Sequence, residues 1–187
     1  MKEFDKIILG LDPGTNVMGY GLIGIKGKKL SLMNTGVIHL EKLENHQLKL
    51  KAIFEKVTFL VETYLPDEVA VEAPFFGKNV QSMLKLGRAQ GVAMAAVLTK
   101  DLPVEEYAPR KIKQAITGNG NASKEQVAAM LQNILNFKEL PKYLDATDGL
   151  AAAVCHYFQG SAGTGAKKSY SGWDAFVKDK DNKKRVK

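Results

Sequence analysis

Cysteine is almost missing from this chain: among 187 residues there is one, Cys155. A single thiol excludes a disulfide framework and a thiolate metal cluster, and it points to a reducing cytoplasm. No uninterrupted apolar run approaches the ~20 residues that a helical membrane span needs, so no membrane is expected among the partners. The N-terminus, Met1-Lys2-Glu3-Phe4-Asp5-Lys6, carries acids and has no apolar core, which excludes a secretory signal. Internal repeats are absent as well. What is present is a balance of 45% hydrophobic and 25% charged residues, enough for one buried core with a tail.

The net charge of +7 is unevenly placed. Residues 160–187 hold eight basic and three acidic side chains, whereas residues 1–159 hold nineteen and seventeen. The globular part is therefore close to neutral, and its isoelectric point alone does not argue for nucleic acid. Position is more telling. Between Phe76 and Lys124 eight Lys and Arg side chains face only Asp101, Glu105 and Glu106, and such a stretch can face phosphates. From Gly160 the composition turns to Gly, Ser and Ala and then to lysine. Residues 1–159 are expected to form one domain and 160–187 a flexible basic tail, with Trp173-Asp174-Ala175-Phe176-Val177 as an apolar island in it.

Ile7 to Leu11 is a short apolar run suited to a central strand buried on both faces. Pro13-Gly14-Thr15-Asn16 supplies a turn, and strands over 17–25 and 30–40 complete an antiparallel meander. Gly19, Gly21 and Gly24 are expected to thin one side of the second strand. Apolar spacing of three and four predicts a helix from near Gln47 to Pro66. A short strand over 67–72 follows, then a helix over about 79–100 rich in glycine and alanine, suited to close packing or to a subunit contact. A fifth strand is expected at 104–107 and a short helix over 109–117. Ser123 and Gln126 read as a capping box opening a helix to about Asn136, and a last helix spans about 144–158. The order predicts an α/β fold with a five-stranded mixed sheet flanked by helices.

Four carboxylates stand at the ends of these elements. Asp12 closes the most apolar strand, where an unpaired charge is costly to desolvate. Glu72 closes the fourth strand and shares a face with Ala70. Asp145 and Asp148, three apart, leave the first turn of the last helix on one side. Gathered in one pocket, like charges repel and raise one another's pKa unless a cation joins them. Hard oxygen donors suit Mg2+ or Mn2+ and not zinc. Two such ions about 3.5–4 Å apart would clamp the attacking and leaving oxygens of a phosphoryl centre.

Ile8-Leu9-Gly10-Leu11-Asp12-Pro13-Gly14-Thr15, Val71-Glu72-Ala73-Pro74-Phe75, Tyr107-Ala108-Pro109-Arg110-Lys111-Ile112-Lys113-Gln114 and Asp145-Ala146-Thr147-Asp148-Gly149-Leu150-Ala151 together resemble, in order and spacing, the RuvC family of Holliday-junction resolvases. The resemblance covers roughly residues 6–159. It implies a ribonuclease-H-like fold, a homodimer and a metal-dependent endonuclease with two divalent ions per site, Mg2+ with Mn2+ able to substitute. By carry-over Asp12, Glu72, Asp145 and Asp148 are catalytic metal ligands, although some members have His at the place of Asp145. The same resemblance implies DNA contacts by Phe75, Lys78, Arg110, Lys113 and Lys124, with Phe75 stacking on an unpaired base. A phosphate docked at the start of the helix that Lys124 opens would offset the unfavourable placement of a cation there. It further implies paired nicks in like-polarity strands of four-way junction DNA, with 5′-phosphate and 3′-hydroxyl ends, and RuvA and RuvB branch-migration proteins as partners.

Three other readings share parts of this pattern. A YqgF-type nuclease acting on RNA has the same fold, but Phe75 and the basic stretch favour the junction. An actin-like ATP phosphotransferase also uses an Asp-Pro-Gly-Thr loop, yet it needs a second domain and a second Asp-x-Gly loop. A non-catalytic junction-binding module would not require all four acids. His39, His46, His156 and Cys155 read as ordinary surface or core residues.

Overall fold

The computed structural model describes residues 3–74, 79–137 and 144–162. Its elements are β1 (Lys6–Asp12), β2 (Val17–Lys26), β3 (Lys29–His39), α1 (His46–Tyr64), β4 (Glu68–Glu72), α2 (Val80–Leu98), β5 (Val104–Tyr107), α3 (Pro109–Thr117), α4 (Lys124–Leu135) and α5 (Asp145–Ala162). The strands form one sheet in the order β3-β2-β1-β4-β5. The three N-terminal strands are antiparallel, and β4 and β5 add parallel to β1. This is the five-stranded mixed sheet with flanking helices of a ribonuclease-H-like fold.

Two apolar layers hold it together. On one face Leu9, Leu11, Leu22, Val69 and Val71 meet Ile53, Val57 and Leu60 of α1 and Ala89, Ala93 and Val97 of α2. On the other, Ile8, Ile23, Ala70 and Tyr107 meet α3, α4 and α5 through Ile112, Val127, Leu131 and Leu150. Because β1 and β4 alternate with period two and are covered on both sides, their inner residues, Ile8 to Leu11 and Val69 to Val71, are buried without a break. Each large apolar side chain so removed from water stabilises the fold by ~1.5–3 kcal/mol.

The last helix lies on the sheet with almost no gap, and glycine makes that possible. A Cβ on Gly10 would stand 2.0 Å from the Gly149 carbonyl oxygen, and one on Gly19 would stand 1.9 Å from that of Asp145. A Cβ on Gly21 would meet the Leu150 backbone at 2.4 Å. Of the three β2 glycines expected on one side, Gly19 and Gly21 face α5, but Gly24 lies against Phe4 on the opposite face. Strand alternation requires this, since 24 differs from 19 and 21 in parity.

Capping follows the residues. Asn45 and Asn79 accept from the backbone of Leu48 and Ser82, Ser123 and Gln126 form the full capping box, and Gly118 ends α3 in the left-handed region. The last helix runs to Ala162, past the expected boundary at Gly160. The remainder of the tail, with Trp173, lies outside the described residues.

Candidate active site

The parallel pairing of β1 with β4 puts Leu11 beside Val71. The next residue of each strand is an acid, so Asp12 and Glu72 emerge side by side at the C-terminal edge of the sheet. Antiparallel pairing sets Gly19 beside Asp12, and the first turn of α5 rests on Gly19. That contact brings Asp145 and Asp148 to the same edge. A cleft of ≈280 Å3 is lined by Asp12, Glu72, Lys113, Lys124 and Asp148, with Ile112, Val127 and Ala151 as its apolar floor. A second hollow of ≈180 Å3 opens on the α2 side of Asp12 and Glu72, against Pro13, Leu86 and Gln90. The larger hollow of ≈420 Å3 between the α3–α4 turn and α4 is lined by no charged side chain, so it offers nothing to a reaction at phosphorus.

The electrostatics are those of crowded carboxylates. Burial holds the Asp12 carboxyl well above the ordinary range, and Glu72, Asp148 and Asp145 push it further against the pull of Lys124. Glu72 is raised to about 7, first by burial and then by Asp148, with Lys124 and Lys113 opposing. Asp148 is raised by burial while its bond to Lys124 works the other way. Burial and crowding thus favour the protonated forms of Asp12, Glu72 and Asp148 unless more positive charge arrives.

The positive charge already present is Lys124. Its Nζ donates to Asp148 Oδ2 at 2.5 Å and to Asp145 Oδ1 at 3.1 Å, and its pKa is raised by these two partners despite the desolvation that opposes them. A cation in a helix's first turn opposes the dipole, and in this structure the two aspartates offset that penalty. The expected phosphate is not needed for that purpose.

The expected residues do not all arrive. Asp145 is not at a buried position: its side chain is 45% exposed against 16% for Asp148, which makes it the rim of the cluster. Lys113 faces the cleft. Arg110 does not line it; its stem packs beside Gly120 of the α3–α4 turn. Phe75 and Lys78 lie outside the described residues.

One feature carries no signal in the sequence. Gln90 is nearly buried at 7% exposure, and its Nε2 donates to Glu106 Oε2 at 2.6 Å beside the Glu72 hollow. A polar residue on a buried helical position is detectable only once the helix is docked. At the far end of the sheet His156 joins Tyr107 Oη and Glu68 Oε2, both at 2.7 Å, and Lys6 also reaches Glu68. This is the satisfied histidine expected there. Cys155 is buried and its thiol is raised to about 11 by burial, so it is an inert core residue.

The donor set suits hard divalent cations in kind: carboxylate oxygens alone, on acids whose burial calls for positive charge. As the side chains stand with Lys124 among them, no three His, Cys, Asp or Glu of the described residues converge on one point. In this structure the Lys124 ammonium occupies Asp145 and Asp148, so a divalent cation held there would compete with it.

Comparison with known proteins agrees with this arrangement. Residues 8–156 match the family model described as crossover junction endodeoxyribonuclease RuvC. The chain is 64% identical over 182 residues to the protein of that name from Cytophaga hutchinsonii, covering 97% of this chain and 90% of that one. It is 59% identical over 185 residues to the one from Bacteroides fragilis, covering 98% and 97%. The solved structure of Thermus thermophilus RuvC in complex with Holliday junction substrate is similar at TM-score 0.79 and 34% identity, covering 85% of this chain and 97% of that one. Four acids brought to one sheet edge in a ribonuclease-H-like fold, with these likenesses over most of its length, place the chain in the RuvC family of crossover junction endodeoxyribonucleases.

Proposed function

We propose that this protein resolves Holliday junctions by metal-dependent hydrolysis of two phosphodiester bonds, nicking like-polarity strands symmetrically and leaving 5′-phosphate and 3′-hydroxyl ends. The observation that carries the reading is the convergence of Asp12, Glu72, Asp148 and Asp145 at one sheet edge. These four would hold two Mg2+ ions, or Mn2+ in their place, and such ions supply an activated water and a stabilised leaving oxygen.

The chain's own residues do the remainder. Burial of Asp12 and Glu72 keeps bulk water from screening them, which makes cation capture strongly favourable. Lys113 and Lys124 stand at the cleft mouth, where ammonium groups position a phosphodiester and neutralise its charge. Lys124, once exchanged off Asp145 and Asp148, is free for the scissile phosphate. Arg110, Lys78 and Phe75 belong to the wider DNA-contacting set, Phe75 as a stacking platform worth ~1–3 kcal/mol per base.

Two active sites are needed for paired nicks, and α2 supplies a surface for a twofold contact. Val80, Leu84, Gly87, Gly91, Ala95 and Leu98 follow one another at threes and fours along its exposed side. A Cβ at Gly87 or Gly91 would meet nothing within 4 Å, so a second backbone can approach closely. The homodimer would act in the cytoplasm with RuvA and RuvB, and residues 160–187 would form a basic tail appended to the nuclease domain.

The test is a labelled mobile four-way DNA junction incubated with the purified protein in Mg2+ or in EDTA, beside Asp12→Asn. Paired symmetric nicks that need both metal and Asp12 are expected. Cleavage of structured RNA with the junction left intact would replace this reading with that of an RNA-processing nuclease. Tight junction binding with no nicks would reduce the chain to a binding module.

A further inference from the structure

The turn after Asp12 closes one wall of a second polar cavity, ≈310 Å3, on the α1–α2 side of the molecule. Its lining includes Thr15 and Asn16 of the turn, His46 and Lys49 of α1, and Ser82 and Lys85 of α2, with Glu44 as the acid among them. None of these residues belongs to the carboxylate cleft.

The charges in this cavity have different employment. Lys49 is committed to structure: its Nζ donates to the Thr15 carbonyl at 3.0 Å and to Asn16 Oδ1 at 3.2 Å, tying α1 to the turn. Lys85 is exposed and, among the described residues, enters no ion pair; the same holds for Arg88 one turn on. Lys6, Lys51, Lys100 and Lys124, by contrast, each have a carboxylate. The Nε2 atom of His46 is buried and has no hydrogen-bond partner. A buried nitrogen left unpaired is costly, and an incoming acceptor would recover that cost. Burial, then Arg88, Lys85 and Lys49, holds the His46 pKa below its usual value, and these three cations make the local field positive.

A free ammonium, a hydroxyl and an unpaired imidazole nitrogen around a cavity form a receptor for a small oxyanion. Thr15 is three residues from Asp12, at most ~11 Å of extended chain. That span corresponds to no more than a few nucleotides of one strand. We propose that this cavity seats a backbone phosphate of the bound DNA strand a few nucleotides from the scissile one, held by Lys85 and Ser82 with His46 behind them. The assignment rests on the nuclease reading for the nature of the ligand. Its role is to set the register of the strand across Asp12, with Lys49 positioning the turn.

The test is equilibrium binding of a four-way junction by the full chain in the Asp12→Asn background, at salt concentrations from 50 to 200 mM. Lys85→Ala is compared with Lys28→Ala, an exposed lysine in the β2–β3 hairpin at the opposite end of the sheet. One phosphate contact contributes about −0.9 to the slope of log affinity against log salt. Lys85→Ala should lose about that much slope, so its affinity deficit at 50 mM exceeds that at 200 mM by ~3.5-fold. Lys28→Ala should lose none. Equal slopes for the two variants would overturn the assignment, even with a wild type that nicks junctions normally. Loss of slope in a protein whose Asp12 form fails to nick would keep the cavity and remove the nuclease reading instead.

Discussion

Replacing Glu72 by Gln should stabilise the metal-free protein, and only toward alkaline pH. Folding moves this carboxyl from an ordinary 4.5 to about 7 through burial and the charge of Asp148. The folded state then binds the proton more tightly than the unfolded state. Stability from this group is complete below about pH 4.5 and is lost as pH rises through about 7. At ~1.4 kcal/mol per pKa unit the shift corresponds to ~3 kcal/mol, and solvent at the open side of the cleft reduces this to ~2 kcal/mol. Gln is nearly isosteric with the protonated acid and never ionises, so it avoids the loss. In EDTA at pH 8 the variant should melt ~4–8 °C above the wild type, at ~2–4 °C per kcal/mol for a chain of this size. At pH 5 the two should nearly coincide. Adding Mg2+ should close the gap at pH 8 from the wild-type side, since a ligand at 100 times its Kd stabilises by ~2.7 kcal/mol. A Glu72→Gln protein no more stable than wild type at pH 8 in EDTA, or equally favoured at both pH values, would refute the account of crowded, buried acids.

Gly10→Ala tests how closely α5 is laid on the sheet. Its Cβ would strike the backbone of Gly149 and Ala153 at 2.0 and 2.5 Å, and the helix must lift. A loss near the upper end of ~1–3 kcal/mol is expected in urea denaturation, together with weaker nicking because Asp145 and Asp148 ride on that helix; unchanged stability would mean the contact is looser than described. Gly91→Glu tests the α2 seam. The position is open in the isolated chain, so thermal stability of the subunit should hold while size-exclusion chromatography moves from dimer to monomer, and a dimer of undiminished affinity would place the contact elsewhere.

The strands, the helices and the identity of the four acids were legible in the linear chain because each is a local matter. Period two in β1 and β4 marks strands, and period three to four marks α1 and α2. The Ser123–Gln126 box is a contact across three residues. Asp12 and Glu72 are conspicuous because each is a carboxylate at the end of an apolar strand, and Asp145 and Asp148 because they share one side of a helix's first turn. The family resemblance rested on the same short segments. The place of Gly24 against Phe4 follows from its parity, which the sequence contains.

Proximity across long stretches of chain was decided elsewhere. Lys124 was legible as a basic residue at a helix start, but its bonds to Asp145 and Asp148 exist only because α4 and α5 pack on one sheet face. The difference in exposure between Asp145 and Asp148, the Gln90–Glu106 bond and the cavity between the Asp12 turn and α2 have the same origin. Sequence alone determined which groups could do chemistry, since type and local spacing depend on neighbours a few bonds away. Tertiary structure decided which of them share a low-dielectric cleft, because desolvation and charge coupling act through space and not along the chain.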